Sequence, residues 1–497
     1  MNKQISRLAF VTTVLLASLI FATTYWQTWA VAGLEERQDN AIQRVAQFTI
    51  QRGLIYASDG RTVLAKNVVR RIQGKNLFFR RYPQGGLVAQ TVGYSTQVRS
   101  RAGLERSEND FLTGSNKNLS TVLRTTIDRL KGVTVKGNNL ILTIDARLQR
   151  IAMQQLAGKC GAAVALEPST GKVLVLASQP TYAPNDVERH FGRITSRPGP
   201  CRPASPLLNR ATDGLYTPGS SFKVVTAAAA LDTGRFTPGS PFFDPGYCIE
   251  YGKRVRNAGN PEAPETFGSV TLALGLEHSI NSVFCNVGKA LGAGTILDYA
   301  KQFGFYAVPP LETPSNERAP SGLYGGAKLF RPKHPEFQVD PGRLAFGQER
   351  LLVTPLQMGM VAAAIANHGV VMKPHVVDRV VTQSGKLVTR TRPDELGRAV
   401  KPGTAAELTS MMEAAVEGGT GTHAQIPGIR VAGKTGTAET GVLGVNTTWF
   451  ICFAPAEAPR VAVAVVLQDQ RGGFGGTTAA PIARTIMQAL LQSGSNS

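Results

Sequence analysis

The feature that most restricts how this chain can fold is an uncharged stretch near its N-terminus. No charged residue occurs from Leu8 to Leu34 in a chain of 497 residues. The apolar part of this stretch is close to the roughly 20 residues that a helix needs to cross a membrane. We therefore predict a single transmembrane anchor at residues 8–29.

The charges on either side of this segment predict its orientation. Lys3 and Arg7 precede it, whereas Glu35 and Glu36 follow it. Because positive charge is retained on the cytoplasmic side of a membrane, residues 1–7 are expected to form a cytoplasmic tail. The rest of the chain would then work outside the cell membrane.

A cleaved secretion signal is the alternative interpretation of this segment. Ala30-Val31-Ala32 fits the small-x-small pattern of a cleavage site. Against it, the apolar core is longer than the usual 7–15 residues, and bulky Trp29 lies beside the site. Both interpretations export the remainder of the chain.

Composition limits the partners and the cofactors. The net charge of +20 requires an anionic neighbour, but no long run of Lys and Arg concentrates this charge. Nucleic acid is therefore not an expected partner. The five cysteines and six histidines show no ligand spacing, so neither a metal nor another cofactor is predicted.

The order of short patterns predicts at least two exported domains. Residues 30–157 mix short apolar runs, basic patches and glycine turns, which indicates an irregular platform that contains strands. Residues 158–497 begin with two β-like runs at 161–167 and 172–178, continue with alanine-rich helical stretches and end with strands near 449–453 and 461–467. This order favours a mixed α/β fold.

A serine and a lysine three residues apart open one apolar helical stretch. Ser220 and Lys223 would share a helix face at its N-terminus, where the lysine amine can reach the serine hydroxyl and the helix dipole favours an oxyanion. The spacing by itself is common. Ser169 and Lys172 repeat it, but in a predicted hairpin turn with no helix after it.

Two further motifs make the first one informative. Ser279-Ile280-Asn281 follows a helical stretch, and Lys434-Thr435-Gly436-Thr437 lies in a β-like run. Ser107-Glu108-Asn109 matches the middle motif but precedes any candidate nucleophile. S-x-x-K, S-x-N and K-T-G in this order are typical of penicillin-binding proteins and class A β-lactamases.

A phosphate-binding loop is a competing interpretation of the last motif. Residues 428–435 match G-x-x-x-x-G-K-[ST]. Such a loop requires a helix directly after its Lys-Thr, whereas Gly436 and a further glycine-containing loop follow here. Export also separates the chain from cytoplasmic nucleotides, so we do not favour nucleotide binding.

Beyond these motifs, the chain resembles class B penicillin-binding proteins over nearly its whole length, and within that class its actinobacterial members. The segments that carry the resemblance outside the three motifs are Arg52-Gly53, Ile55, Asp59-Gly60, Leu64-Ala65, Arg81-Tyr82-Pro83, Val92-Gly93-Tyr94, Gly103-Leu104-Glu105, Leu142-Thr143-Ile144-Asp145, Leu148-Gln149, Gly347-Gln348, Thr354-Pro355-Leu356-Gln357, Ala366-Asn367-His368-Gly369, Trp449-Phe450 and Ala454-Pro455. The chain departs from the family where Asp-Arg-Asn is expected, since Ala57-Ser58-Asp59 stands there. Nothing resembles the glycosyltransferase domain of class A proteins.

The resemblance implies a fold, an activity and a set of residue roles. The fold would be an antiparallel sheet flanked by helices, preceded by a platform of the dimerisation type. Peptidoglycan cross-linking in growth or division would proceed through an acyl-enzyme on Ser220, which β-lactams would also acylate. The other implied roles are these: proton acceptor, Lys223; proton relay, Ser279; substrate amide contact, Asn281; positive potential, Lys434; substrate carboxylate contact, Thr435, Gly436 and Thr437; oxyanion hole, the amides of Ser220 and Thr437.

The resemblance also implies partners and leaves alternatives open. Stem peptides ending in D-Ala-D-Ala would be the substrates, and a polytopic glycan polymerase the membrane partner. A D,D-carboxypeptidase, a β-lactamase or β-lactam sensor, and a scaffold without activity remain as alternatives, although no water-activating acid is identifiable between Asn281 and Lys434.

The cysteines carry a separate hypothesis. We predict bonds between Cys160 and Cys201 and between Cys248 and Cys285, with Cys452 as a buried free thiol. Five free thiols are the alternative.

Overall fold

The computed structural model describes residues 2–25, 48–115, 136–196, 198–199, 201, 203–260 and 263–493. Its first element is the helix α1 (Asn2–Tyr25). This helix is long and apolar enough to cross a membrane, with a mean hydropathy of 2.0 and no buried part. Thr12, Thr13 and Thr23 donate their hydroxyls to carbonyls one turn earlier, which satisfies these polar groups within the helix. The end of the predicted anchor and the pattern at residues 30–32 lie outside the described residues.

The remaining elements form two groups along the chain. The strands and helices up to residue 155 are β1 (Ile55–Tyr56), β2 (Val63–Ile72), β3 (Lys75–Arg81), α2 (Ala89–Val92), α3 (Leu104–Ser107), α4 (Asn109–Thr113), β4 (Asn139–Leu142) and α5 (Ala146–Gln155). From residue 161 to 302 they are β5 (Gly161–Leu166), β6 (Val173–Gln179), α6 (Val187–Ser196), α7 (Lys223–Asp232), β7 (Pro241–Asp244), β8 (Tyr247–Glu250), β9 (Lys253–Arg256), β10 (Gly259–Asn260), β11 (Ala263–Pro264), β12 (Gly268–Thr271), α8 (Leu272–Glu277), α9 (Asn281–Leu291) and α10 (Ala293–Gln302). The rest are β13 (Gly322–Gly325), β14 (Lys328–Leu329), α11 (Pro335–Gln338), α12 (Pro341–Ala345), β15 (Leu351–Leu352), α13 (Pro355–Ala366), β16 (Val370–Met372), β17 (Val377–Val381), β18 (Leu387–Arg390), β19 (Glu395–Arg398), α14 (Pro402–Glu417), β20 (Ala432–Glu439), β21 (Val445–Ala454), β22 (Val461–Arg471), α15 (Gly475–Thr478) and α16 (Ala480–Ser493).

The N-terminal platform is built around a six-stranded sheet in the order β18-β17-β4-β1-β2-β3. Strands β17 and β18 come from residues 377–390, which we had assigned to the C-terminal domain. Conversely, Leu148, Ala152 and Met153 of α5 pack into the core of the C-terminal sheet. The predicted border between residues 157 and 158 is therefore crossed in both directions, and its position stays a prediction.

A buried ion network explains two of the platform motifs. The Glu105 carboxylate accepts hydrogen bonds from Arg52 at 2.9 Å and from Arg80 at 2.6 Å, and all three side chains are almost fully buried. Gly53 follows Arg52 because its α-carbon lies against the backbone of Asn138, where a β-carbon would meet the carbonyl oxygen at 1.6 Å. The network thus joins β3 and α3 to the start of the platform.

The C-terminal domain is organised around a five-stranded sheet in the order β20-β21-β22-β5-β6. All of its pairings are antiparallel. Its strands are apolar without alternation because both faces are covered. Helices α5 and α16 pack on one face, and α13 packs on the other. The predicted arrangement of an antiparallel sheet flanked by helices is confirmed.

The helical part of this domain surrounds α7, whose residues 223–231 are all buried. A turn of 3-10 helix, Gly219–Phe222, leads directly into α7. This turn packs against β20, the edge strand of the sheet. The candidate site therefore lies where the central helix meets the sheet edge.

Both predicted cysteine pairs are joined in the structure. Cys160 and Cys201 have α-carbons 5.2 Å apart, and those of Cys248 and Cys285 are 6.4 Å apart. Cys452 is buried and free, as we expected.

Candidate active site

The Ser220 side chain is half-buried within the 3-10 turn that precedes α7. In a 3-10 helix, residues i and i+3 lie directly above one another, so Ser220 and Lys223 share one face. Ser221 is fully buried and donates its hydroxyl to the Pro218 carbonyl at 2.8 Å. The two adjacent hydroxyls therefore have different surroundings.

The Lys223 amine is fully buried among neutral acceptors. It donates to the Ser279 carbonyl at 2.6 Å and to Asn281 Oδ1 at 2.8 Å, and it lies 3.4 Å from Ser279 Oγ. Burial lowers the pKa of Lys223 well below its ordinary value, and the charge of Lys434 lowers it further. Such surroundings favour the neutral amine. The hydrogen bond that we expected between Lys223 and Ser220 is not present among the described residues.

Ser279 and Asn281 lie in the connection between α8 and α9. Ser279 has a positive φ of 61°, a conformation that costs a non-glycine residue of order 1–3 kcal/mol. This backbone places its carbonyl oxygen on the Lys223 amine. Asn281 begins α9, and its Nδ2 donates to the Arg256 carbonyl at 2.9 Å. Both ends of the Asn281 amide are thereby held.

The third motif lies in the middle of β20. Lys434 is fully buried, its amine donates to the Thr435 carbonyl at 3.2 Å, and burial lowers its pKa to about 7. Thr437 is half-buried, and its hydroxyl accepts a hydrogen bond from the Gly475 amide at 3.2 Å. The oxygens of Thr435 and Thr420 are 2.6 Å apart.

Close backbone contact joins β20 to the serine turn. A β-carbon on Gly436 would lie 2.7 Å from the Pro218 carbonyl oxygen, and one on Gly219 would lie 2.7 Å from that of Thr437. Since N–H and C=O of one strand residue point to the same side, the Thr437 amide also faces this turn. Trp449 holds the other side through a 2.9 Å bond to the Thr217 carbonyl. All three predicted motifs therefore meet at one place.

The competing segments lie elsewhere or have the wrong local structure. Lys172 is partly exposed beside Glu167, and Asn109 accepts a hydrogen bond from Arg52 in the platform. The Lys-Thr of the phosphate-loop pattern lies within β20, which continues as a strand to Glu439. The helix that a phosphate loop requires does not follow.

Comparison with known proteins identifies the family. A model of the penicillin-binding protein transpeptidase domain matches residues 161–488. The chain belongs to this family. A model of the penicillin-binding protein A dimerisation domain also matches residues 52–140. The predicted class of penicillin-binding protein is thus confirmed.

Relatives of this penicillin-binding protein extend over the complete chain. It is 35% identical to the peptidoglycan D,D-transpeptidase PbpA of Mycolicibacterium smegmatis, with 100% of both chains covered. It is 36% identical to PbpA of Mycobacterium tuberculosis, with 99% of each chain covered. A ceftriaxone acyl-enzyme structure of penicillin-binding protein A from M. tuberculosis has a TM-score of 0.79 at 33% identity, covering 90% of this chain and 100% of that one. The apolar N-terminal helix is compatible with a membrane anchor in this family member.

Two contributors to the site were missed in the sequence. Thr420 lies within a glycine-rich segment, Gly418-Gly419-Thr420-Gly421, beside the K-T-G motif. That glycine density was a usable signal. Arg256 contributes only its backbone carbonyl, for which no side-chain pattern exists.

Proposed function

We propose that this protein is a peptidoglycan D,D-transpeptidase that forms an acyl-enzyme on Ser220 and is acylated there by β-lactams. The observation that carries the proposal is the buried Lys223 amine, which lies one 3-10 turn from Ser220 and is bound to neutral oxygens of Ser279 and Asn281. A neutral amine in this position can serve as a general base without an acidic partner.

The proposed first step transfers the stem peptide to the enzyme. Ser220 Oγ attacks the carbonyl between the two D-alanines, and Lys223 accepts the hydroxyl proton. A bond forms between Oγ and the carbonyl carbon, and the C–N bond to the terminal D-alanine breaks. Ser279 relays the proton to the departing amine. This role fits the position of Ser279 Oγ, 3.4 Å from the Lys223 amine.

The other motif residues would bind the developing charges. The amides of Ser220 and Thr437 form the oxyanion hole, which is supported by the backbone contact between Gly219 and Thr437. Thr435 and Thr437 hold the terminal carboxylate along β20, and the glycine at position 436 permits the approach. Asn281 contacts the substrate amide, and Lys434 adds positive potential. A neighbouring stem-peptide amine then attacks the ester and releases Ser220.

The assay for this function uses the detergent-solubilised full chain with a stem peptide ending in D-Ala-D-Ala and an acceptor amine. We expect mass spectrometry to detect a cross-linked product and free D-alanine, and Ser220→Ala to abolish both. Product trimmed by one D-alanine without cross-linking would support the D,D-carboxypeptidase alternative. Loss of neither product in Ser220→Ala would refute the assigned nucleophile.

We further propose a single-pass membrane protein whose catalytic domain lies outside the cell membrane. The charges before and after the apolar segment support this orientation. A polytopic glycan polymerase that contacts the anchor and the platform is the proposed partner. Replacing residues 1–34 with an unrelated cleavable signal should keep penicillin acylation but abolish complementation. Full complementation by the released form would contradict the partner proposal.

A further inference from the structure

The hairpin of β2 and β3 concentrates positive charge at one edge of the platform. No Asp or Glu occurs from Arg61 to Arg81. The exposed cations of the hairpin are Lys66, Arg70, Arg71, Lys75 and Arg81. Within the part of the chain that the structure describes, none of these five side chains forms an ion pair. The charge of this hairpin is thus uncompensated.

Apolar side chains accompany the charge at the hairpin tip. Val69 is 54% exposed and Ile72 is 45% exposed, and Ile72 pairs across the hairpin with Lys75. Charge on an edge strand guards against pairing with other chains, and this would explain one or two lysines. It does not explain exposed aliphatic residues among the cations. Mixed cationic and aliphatic side chains are instead typical of segments at a membrane interface.

The hairpin is also where the chain returns from the membrane helix. Phe48, the first described residue after α1, stacks on Phe79 with ring centroids 5.3 Å apart. Its carbonyl accepts a hydrogen bond from the Phe78 amide at 2.7 Å. The part of the platform that the anchor enters therefore carries the unpaired cations.

We propose that the tip of the β2–β3 hairpin docks on anionic phospholipid headgroups of the membrane that holds α1. Lys and Arg near an anionic leaflet are attracted to it, and the attraction is screened by salt. This contact would set the height and tilt of the platform above the membrane. The proposal rests on the proposed anchor.

The test places one reporter on the hairpin of the full chain. Four native cysteines are paired and Cys452 is buried, so Gln73→Cys offers one reactive thiol for a fluorophore. The labelled protein is incorporated into nanodiscs of phosphatidylcholine, with or without phosphatidylglycerol, that contain a headgroup quencher. Gln383→Cys is the matched control, because it lies in the exposed turn between β17 and β18 at the opposite edge of the same sheet.

We expect quenching at position 73 to increase several-fold with phosphatidylglycerol and to fall to the level of position 383 in high salt. Replacing Lys66, Arg70, Arg71 and Lys75 by Gln should have the same effect as salt, with penicillin acylation retained. Equal quenching in both lipids, or quenching unaffected by the four substitutions, would overturn the proposal. A response to a soluble anionic glycan polymer but not to the lipid would also overturn it. Failure of the chain to enter nanodiscs would instead refute the anchor.

A second, independent observation concerns the support of Asn281. Asp244 is buried, and its carboxylate accepts hydrogen bonds from the Gly246 and Phe267 amides, each at 2.9 Å. It also accepts from Asn257 Nδ2 at 2.8 Å and from the Ser282 hydroxyl. One carboxylate therefore links the loop after β9 to the beginning of α9.

These bonds bear directly on the candidate site. Asn257 follows Arg256, whose carbonyl holds the Asn281 amide, and Asn257 Oδ1 accepts from the Ser282 amide at 3.1 Å. The geometry points to Asp244 as a positioning residue, which orients Asn281 and through it the Lys223 amine. It touches neither substrate nor nucleophile. This inference rests on the proposed acyl transfer at Ser220.

A double-mutant cycle distinguishes positioning from a general loss of stability. We expect Asp244→Asn to lower the second-order rate constant of penicillin acylation about tenfold or more, but less than about threefold when Asn281→Ala is already present. Asp145→Asn, which removes the carboxylate at the N-terminus of α5, is the control and should show no such coupling. Equal effects of Asp244→Asn in both backgrounds would overturn the positioning role, whereas unchanged acylation in Ser220→Ala would refute the acyl transfer itself.

Discussion

Adjacent serines permit a test in which stability and chemistry change separately. Ser220 is half-buried, and its side chain makes no hydrogen bond in the described part of the chain. Ser221 is fully buried and bonded to the Pro218 carbonyl. Replacing each serine by alanine removes one oxygen from the same helical turn, so the two variants are controls for each other.

The structure predicts opposite outcomes for the two variants. Ser221→Ala loses a buried hydrogen bond and leaves the Pro218 carbonyl unpaired, which should cost about 1–2 kcal/mol and lower Tm by roughly 2–4 °C. Its labelling by a fluorescent penicillin should stay within a few-fold of the wild-type rate. Ser220→Ala should change stability by no more than about 0.5 kcal/mol and abolish labelling.

The assay combines gel detection of the penicillin adduct with thermal unfolding of the same preparations. Intact-protein mass spectrometry checks that the adduct contains one penicillin. Labelling that survives Ser220→Ala but disappears in Ser221→Ala would refute the assignment of the nucleophile. Labelling that is unaffected by either change would refute the enzymatic interpretation.

The remaining predictions concern the lysines, a disulfide and the platform. Lys223→Ala should slow penicillin acylation by roughly 10²–10⁴-fold, and stopped-flow rates close to wild type would contradict its role as base. Because burial lowers the pKa of Lys434 to about 7, against about 10.4 in an unfolded chain, the unfolded state binds more protons between these values and stability rises with pH there. The Tm of the wild type should accordingly increase relative to Lys434→Met from about pH 7 to 9, and a constant difference would argue against a buried neutral amine. Cys248 and Cys285, 37 residues apart, should contribute about 4 kcal/mol in the chain-entropy model, so a reductant should lower the Tm of the wild type but not that of the Cys248→Ser, Cys285→Ser variant. Glu105→Gln should destabilise the platform by about 3–5 kcal/mol by leaving two buried guanidinium groups unpaired, with penicillin labelling retained in calorimetrically matched samples; an unchanged unfolding profile would contradict the role of this network.

The sequence was sufficient for the family and for the identity of the motif residues because these depend on local pattern. An uncharged apolar run predicts a helix long enough for a membrane, and helical or strand spacing predicts where Ser220, Ser279 and Lys434 lie in their own elements. Their assembly followed from resemblance to a family. The predicted disulfides required contact between distant segments, and that contact was a hypothesis until the tertiary structure placed the cysteines together.

Other features depend on contacts that no local pattern specifies. The platform sheet takes β17 and β18 from residues 377–390, and α5 belongs to the C-terminal core, because burial of apolar faces disregards chain order. Likewise, no property of the lysine codon position indicates that the Lys223 amine lies among neutral oxygens instead of beside a carboxylate. Burial and the positive φ of Ser279 create those surroundings. The sequence by itself thus determined which groups are available for chemistry, whereas the tertiary structure decided their protonation and support, because desolvation and hydrogen bonding act through space.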